Sequence, residues 1–249
     1  MIVSDARIHM AFRILRRNYG CPGADGISLK EIKRNYTLYK AQILTAFRSG
    51  AYAPAPPRGC TFVDAHKRVR QIYVYNVCDR WFQQCLRLAI TPDILTKIQP
   101  YVYSYIKGRN NTQAAAHVLR NRSAYILKLD IHDFFSSVHL DTLWDMLSSC
   151  GIDRTTVGLI IKTMPTNAIG LPPGNVLSPL LSNLYLTPVD EAFPQNYARF
   201  SDDLLFAIND SSSVNDIHAR LALPLSTLHL HINKDKQKLF RGPTVDMLL

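Results

Sequence analysis

The stretch Tyr197-Ala-Arg-Phe-Ser-Asp-Asp-Leu-Leu-Phe206 constrains the fold of this chain more than any other. Tyr197 to Phe200 and Leu204 to Ile208 are short runs of aromatic and branched residues, the composition of strands. Ser201-Asp202-Asp203 between them is turn chemistry, so the stretch predicts a tight hairpin with two carboxylates at its tip. Adjacent like charges are costly unless something positive lies beside them. A divalent cation suits the need, because hard ions take carboxylate oxygens. Taken alone, an Asp-Asp pair is more often a solvated turn, so the rest of the chain has to decide.

The charge distribution narrows the classes. Residues 1–128 hold 21 Lys and Arg against 6 Asp and Glu, a balance of +15. Residues 129–249 hold 8 against 13, a balance of −5. A basic half suits a polyanion, and an acidic half with clustered Asp suits metal. No apolar run approaches the roughly 20 residues that span a membrane. There is no signal-peptide pattern either, so no membrane partner and a cytoplasmic setting are expected. Cys21, Cys60, Cys78, Cys85 and Cys150 lack zinc or disulfide spacing and agree with a reducing compartment.

Along the chain, residues 5–19 have helical periodicity, and Ser28 with Glu31 is at capping-box spacing. Ala51 to Gly59 is proline-rich and extended, and Lys67 to Tyr75 reads as a strand with basic residues at its mouth. Asp79 to Leu88 is helical, Tyr101 to Gly108 is an aromatic loop, and an alanine-rich helix runs through Leu119. Ala124 to Asp130 is an apolar strand ending in an acid. Helices are expected around Leu140–Leu147, from Ser178 (as cap, with Pro179 first) through Tyr185, and near Asn215–Leu223. Asp130 and Asp202 are 72 positions apart, with two expected helices between them that would return the chain to the same sheet. Two such carboxylates holding a pair of ions about 4 Å apart would serve phosphoryl transfer.

In this order the motifs resemble reverse transcriptases, most closely the bacterial type related to group II introns. Asp130-Ile-His-Asp-Phe-Phe135 resembles the family's first catalytic motif. Gly170-Leu-Pro-Pro-Gly174, then Ser178-Pro179 and Asn183-Leu-Tyr-Leu186, resembles its glycine loop and helix. Tyr197 to Asp203 resembles the Tyr-x-Asp-Asp box, and Ile232-Asn233 with Lys236 the lysine motif after it. Upstream, Arg70, Asp79-Arg80, Gln83 and Ser104 to Asn111 resemble the fingers segment, as does the early run from Asn18 to Gly26.

The resemblance implies an α+β right-hand polymerase with an antiparallel palm sheet, fingers at 1–122 and palm at 123–249. Its chemistry would be RNA-directed DNA synthesis. Asp130, Asp202 and Asp203 would be catalytic and, with the Ile131 backbone, would hold two Mg²⁺ ions (Mn²⁺ as an alternative). Lys67, Arg68, Arg70, Asp133, Phe135, Gly174 and Lys236 would contact the nucleotide. Phe135 would exclude a 2′-hydroxyl, and Lys236 would give a proton to pyrophosphate. Partners would be an RNA template, a DNA or RNA primer and deoxynucleoside triphosphates.

Three departures from the family pattern stand out. Phe200 and Ser201 replace the usual Tyr and Ala, removing a hydroxyl near the primer end. Pro173 stands where most relatives have Gln, which points towards domesticated bacterial lineages, some of them used in antiphage defence. The chain stops at Val245-Asp-Met-Leu-Leu249, where relatives begin the primer grip, so either it is a truncated product or the duplex is gripped by a second protein chain that supplies the thumb, with a noncoding RNA as the other partner to expect. The rival readings are an RNA-directed RNA polymerase, a nucleic-acid-binding module with a silent palm, and a metal-dependent nuclease.

Overall fold

The computed structural model describes residues 4–17, 20–63, 69–166 and 168–242. Ser4 caps α1 (Asp5–Leu15) by accepting from the Arg7 amide, and Ser28 caps α2 (Leu29–Arg34) by accepting from Glu31 N. After α3 (Tyr36–Ser49) the chain turns at Gly50, whose φ of 63° is left-handed. The proline-rich connector leads into β1 (Arg58–Val63), antiparallel to β2 (Val69–Val74). Then follow α4 (Val77–Leu95) and α5 (Asn111–Leu119), the latter started by an Asn110/Gln113 capping box. The expected apolar strand is β3 (Tyr125–Asp130).

Among the described residues five helices lie between β3 and the Asp-Asp hairpin, where two were expected. They are α6 (Phe134–Ser137), α7 (Leu140–Ser149), α8 (Arg154–Lys162), α9 (Ser178–Tyr185) and α10 (Thr187–Glu191). Ser178 opens α9 from within, and its hydroxyl donates to the Pro172 carbonyl instead of capping. The hairpin is β4 (Tyr197–Phe200) and β5 (Asp203–Ile208). The chain ends in α11 (Ser213–Thr227), a single 3-10 turn at Lys234–Lys236, and β6 (Lys238–Arg241).

The described chain divides into two compact units, one up to Thr96 with Trp144–Leu180, the other Lys97–Leu143 with Leu181 onward.

In the first unit α1 packs on α4 around Ile8, Phe12 and Trp81. The Trp81 indole donates to the Ile8 carbonyl at 2.9 Å, so the buried ring leaves no orphan donor. The second unit is built on an antiparallel sheet of order β4-β5-β3-β6. Strand alternation sends Ile126, Ala198, Leu205 and Ala207 to one face, where Ala114, Ala115 and Val118 of α5 cover them. Tyr197, Leu127, Leu129, Leu204 and Phe206 line the other face, and all are buried. A sheet buried on both faces is rigid support for whatever its strand ends carry.

Candidate active site

The register of the second unit's sheet sets Asp130, the last residue of β3, opposite Asp203, the first of β5. Phe200 also pairs with Asp203, so Ser201 and Asp202 form a two-residue turn, with Ser201 at φ 59°. The Ile131 amide donates to the Asp202 carbonyl at 3.3 Å, tying the end of β3 to that turn. Asp130, Ile131, Asp202 and Asp203 are therefore gathered at one end of the sheet.

Like charges directly opposed across strands are destabilising. Burial raises the Asp202 pKa, and Asp130 and Asp203 raise it further. Burial also raises that of Asp203, with Lys128 pulling the other way. Two ammonium groups relieve the cluster. Lys236 Nζ lies 2.8 and 2.9 Å from the two Asp130 oxygens, and Lys128 Nζ 3.1 Å from Asp203 Oδ2. Among the described residues no three His, Cys, Asp or Glu side chains are arranged to hold a metal ion. The donor chemistry nonetheless fits a hard divalent cation, since the carboxylate oxygens of Asp130 and Asp203 already collect cationic nitrogen.

A buried ion pair lies beneath the turn. Arg199 and Asp190 are both fully buried and joined in bidentate fashion, Nε to Oδ1 at 2.8 Å and Nη2 to Oδ2 at 2.7 Å. Arg199 Nη1 also donates to the Ser201 carbonyl and to Asn183 Oδ1, each at 3.0 Å. Asn183 in turn clamps Ser104 through both ends of its amide. Burial works against the Arg199 charge, but the Asp190 carboxylate outweighs it and the pKa stands above its ordinary value. The guanidinium thus fixes the carbonyl one residue before Asp202.

Phe135 is half-buried, edge-on to Phe134 at 5.6 Å between centroids. Asp133 is exposed, with φ 42° at the start of α6, its carbonyl accepting from Ser136 Oγ and Ser137 N. Gly174 and Arg70 belong to the first unit. Gly174 has φ 99°, and a Cβ there would overlap the Tyr73 carbonyl, so the position requires glycine. The Pro173 carbonyl accepts from Tyr73 N at 2.8 Å, which anchors the glycine loop to β2 through a group that proline retains. Gln83 Oε1 accepts from Val176 N and holds the same loop. Arg70 stands on β2 opposite Phe62, while Lys67 and Arg68 lie outside the described residues.

Sequence reasoning gave no role to Lys128 or Arg199. Both carried a usable signal: each is a cation inside an otherwise apolar strand, a placement that calls for a buried or diagonal acid.

The family model for "Reverse transcriptase (RNA-dependent DNA polymerase)" matches residues 61–248. Protein YkfC of Escherichia coli strain K12 is 23% identical over 193 residues, 71% of this chain and 51% of that protein. The retron Ec83 reverse transcriptase of Escherichia coli is 25% identical over 146 residues, covering 52% and 46%. The group II intron-encoded protein LtrA of Lactococcus lactis subsp. cremoris is 24% identical over 195 residues, covering 71% and 30%. The chain thus spans about half or less of the length of these relatives. Telomerase of Candida albicans, solved with a fragment of telomeric RNA, superposes with a TM-score of 0.55 at 12% identity, covering 87% of this chain and 47% of that one. At that identity the likeness speaks for the fold, here an α+β polymerase fold. With the family model covering most of its length, the chain belongs to the reverse transcriptase family.

Proposed function

We propose that this chain extends a DNA or RNA primer by template-directed addition of deoxynucleotides along RNA. The observation that carries the reading is the pairing of Asp130 with Asp203 beside Asp202, in a chain of this family. Asp130, Asp202 and Asp203 with the Ile131 carbonyl would hold two Mg²⁺ ions, or Mn²⁺ in their place. Such ions acidify a hydroxyl and stabilise a leaving oxygen. The chain's own groups orient and select. Phe135 closes the space a 2′-hydroxyl would need, the feature that separates ribonucleotides from deoxyribonucleotides. Arg70, with Lys67 and Arg68, neutralises the triphosphate, and Gly174 and Asp133 border the nucleotide. The primer 3′-hydroxyl gives up its proton to solvent as its oxygen bonds the α-phosphorus, the bond from that phosphorus to the α–β bridging oxygen breaks, and Lys236 Nζ gives a proton to the departing pyrophosphate.

Residues 1–122 would act as fingers and 123–249 as palm. The basic excess of residues 1–128 supports a polyanionic partner there. A noncoding RNA or a second protein chain supplying the thumb would be a further partner, and mobility or phage defence the wider role. Among the described residues no helix is long and apolar enough to cross a membrane.

The test is primer extension on RNA with Mg²⁺, wild type beside Asp202→Ala, supplied with deoxy- or ribonucleotides. Deoxynucleotide extension that vanishes in the variant is expected. Preferential ribonucleotide use would favour an RNA polymerase, hybrid binding without extension a binding module, and strand cleavage a nuclease.

A further inference from the structure

Tyr105 adopts φ 58°, a left-handed backbone that a bulky side chain rarely takes, and its side chain is 41% exposed. Strain of this kind persists only where the surroundings enforce it. They do so on both sides of Tyr105. Tyr103 N donates to the Arg199 carbonyl and Arg199 N to the Tyr101 carbonyl, so the segment runs along the edge of β4. Ser104 is fully buried and clamped by Asn183, while Arg109 donates to the Val102 and Gln99 carbonyls. The result is an exposed ring whose hydroxyl lies 3.1 Å from Ser201 Oγ, one residue before Asp202. Ser201 is itself left-handed. Two conformationally costly residues therefore meet through their hydroxyls beside the carboxylates.

We propose that Tyr105 is a positioning residue whose exposed ring seats the primer-terminal nucleotide beside Ser201. The inference rests on the proposed polymerase reading. A 3′-hydroxyl delivered to Asp130 and Asp202 belongs to a nucleotide lying beside Ser201, and Tyr105 is the exposed aromatic hydrogen-bonded to that residue. An aromatic face beside a strand terminus stacks any base without regard to sequence. The paired hydroxyls keep lone pairs that can accept from a sugar hydroxyl.

The experiment measures three properties of the full chain: thermal midpoint, affinity for a fluorescein-labelled DNA primer annealed to RNA (anisotropy with Ca²⁺, no nucleotide), and single-turnover extension. Tyr105→Asn and Tyr105→Gly remove the ring and accept a left-handed backbone. They are expected to melt at or above the wild-type temperature yet bind the hybrid about tenfold or more weakly. Tyr105→Phe, which keeps the ring, should stay within about threefold of wild type. A fall in melting temperature matched to the loss of binding would make Tyr105 structural and overturn the proposal. Unchanged affinity in a wild type that binds and extends would overturn it while leaving the polymerase reading intact. A wild type that does not bind the hybrid would overturn both.

Discussion

Replacing Arg199 with methionine isolates what the buried pair does for the active-site turn. The change removes both bonds to Asp190 and leaves that carboxylate fully buried with the Tyr197 hydroxyl, 3.0 Å from Oδ1, as its remaining side-chain donor. Removing one partner of a buried pair costs about 3–5 kcal/mol, because the other charge stays desolvated. For a chain of this size each kcal/mol moves the melting temperature by about 2–4 °C, so Arg199→Met should melt about 6–20 °C below wild type. The double variant Arg199→Met/Asp190→Leu removes both charges and should recover most of that loss.

Activity should not recover with stability. In the double variant the Ser201 carbonyl and Asn183 Oδ1 still lack the guanidinium that holds them at 3.0 Å. Misplacing a catalytic carboxylate by about 1 Å costs about 100-fold in rate, so extension should remain depressed by about that factor in a folded protein. Differential scanning fluorimetry and single-turnover extension read the two effects separately. A single variant that loses less than about 1 kcal/mol would refute the account of the pair. A refolded double variant as active as wild type would refute its role beneath the turn.

Asp202→Asn should abolish extension while raising the melting temperature at neutral pH by about 2–4 °C for each kcal/mol of repulsion relieved. Burial and then the neighbouring acids raise the Asp202 pKa, so the fold binds its proton more tightly than the unfolded chain does. Stability is therefore lost as pH rises from the ordinary carboxylate value through the raised one, and the advantage of Asn should disappear in melts below about pH 4. Gly174→Ala combines left-handed strain with overlap of the Tyr73 carbonyl and should cost about 2–6 kcal/mol in urea titrations. A melting temperature within about 1 °C of wild type would show that the loop has room.

What the sequence revealed depended on range along the chain. The hairpin at Tyr197–Ile208 was legible because its strands, turn residues and acids sit within a dozen positions and reinforce one another. The end of β3 at Asp130 was legible for the same reason, an apolar run broken by an acid. Helices α3 and α8 passed unremarked, and β6 was read only as a lysine-bearing segment. That strand has two of its four residues cationic, and pairing with β3 stabilises it where composition does not. The Arg199–Asp190 bond and the Tyr105–Ser201 contact depend on register and loop path, which no local pattern encodes.

The two lysines account for how three carboxylates share one strand end in the first place. Lys128 lies two residues before Asp130 on the same face of β3, which puts it diagonal to Asp203 across the pairing. Lys236 arrives from the other side, on the 3-10 turn that Asn233 fastens by donating its amide to the Asp130 carbonyl at 2.8 Å. Its backbone is thus fixed to the residue it neutralises, while its side chain, 45% exposed, stays free to swing. An ion held by the Asp130 oxygens would compete with that ammonium for the same lone pairs, so a filled site would release Lys236. The lysine proposed to protonate pyrophosphate would then be the one set free when the carboxylates are engaged, which would couple that role to a filled site.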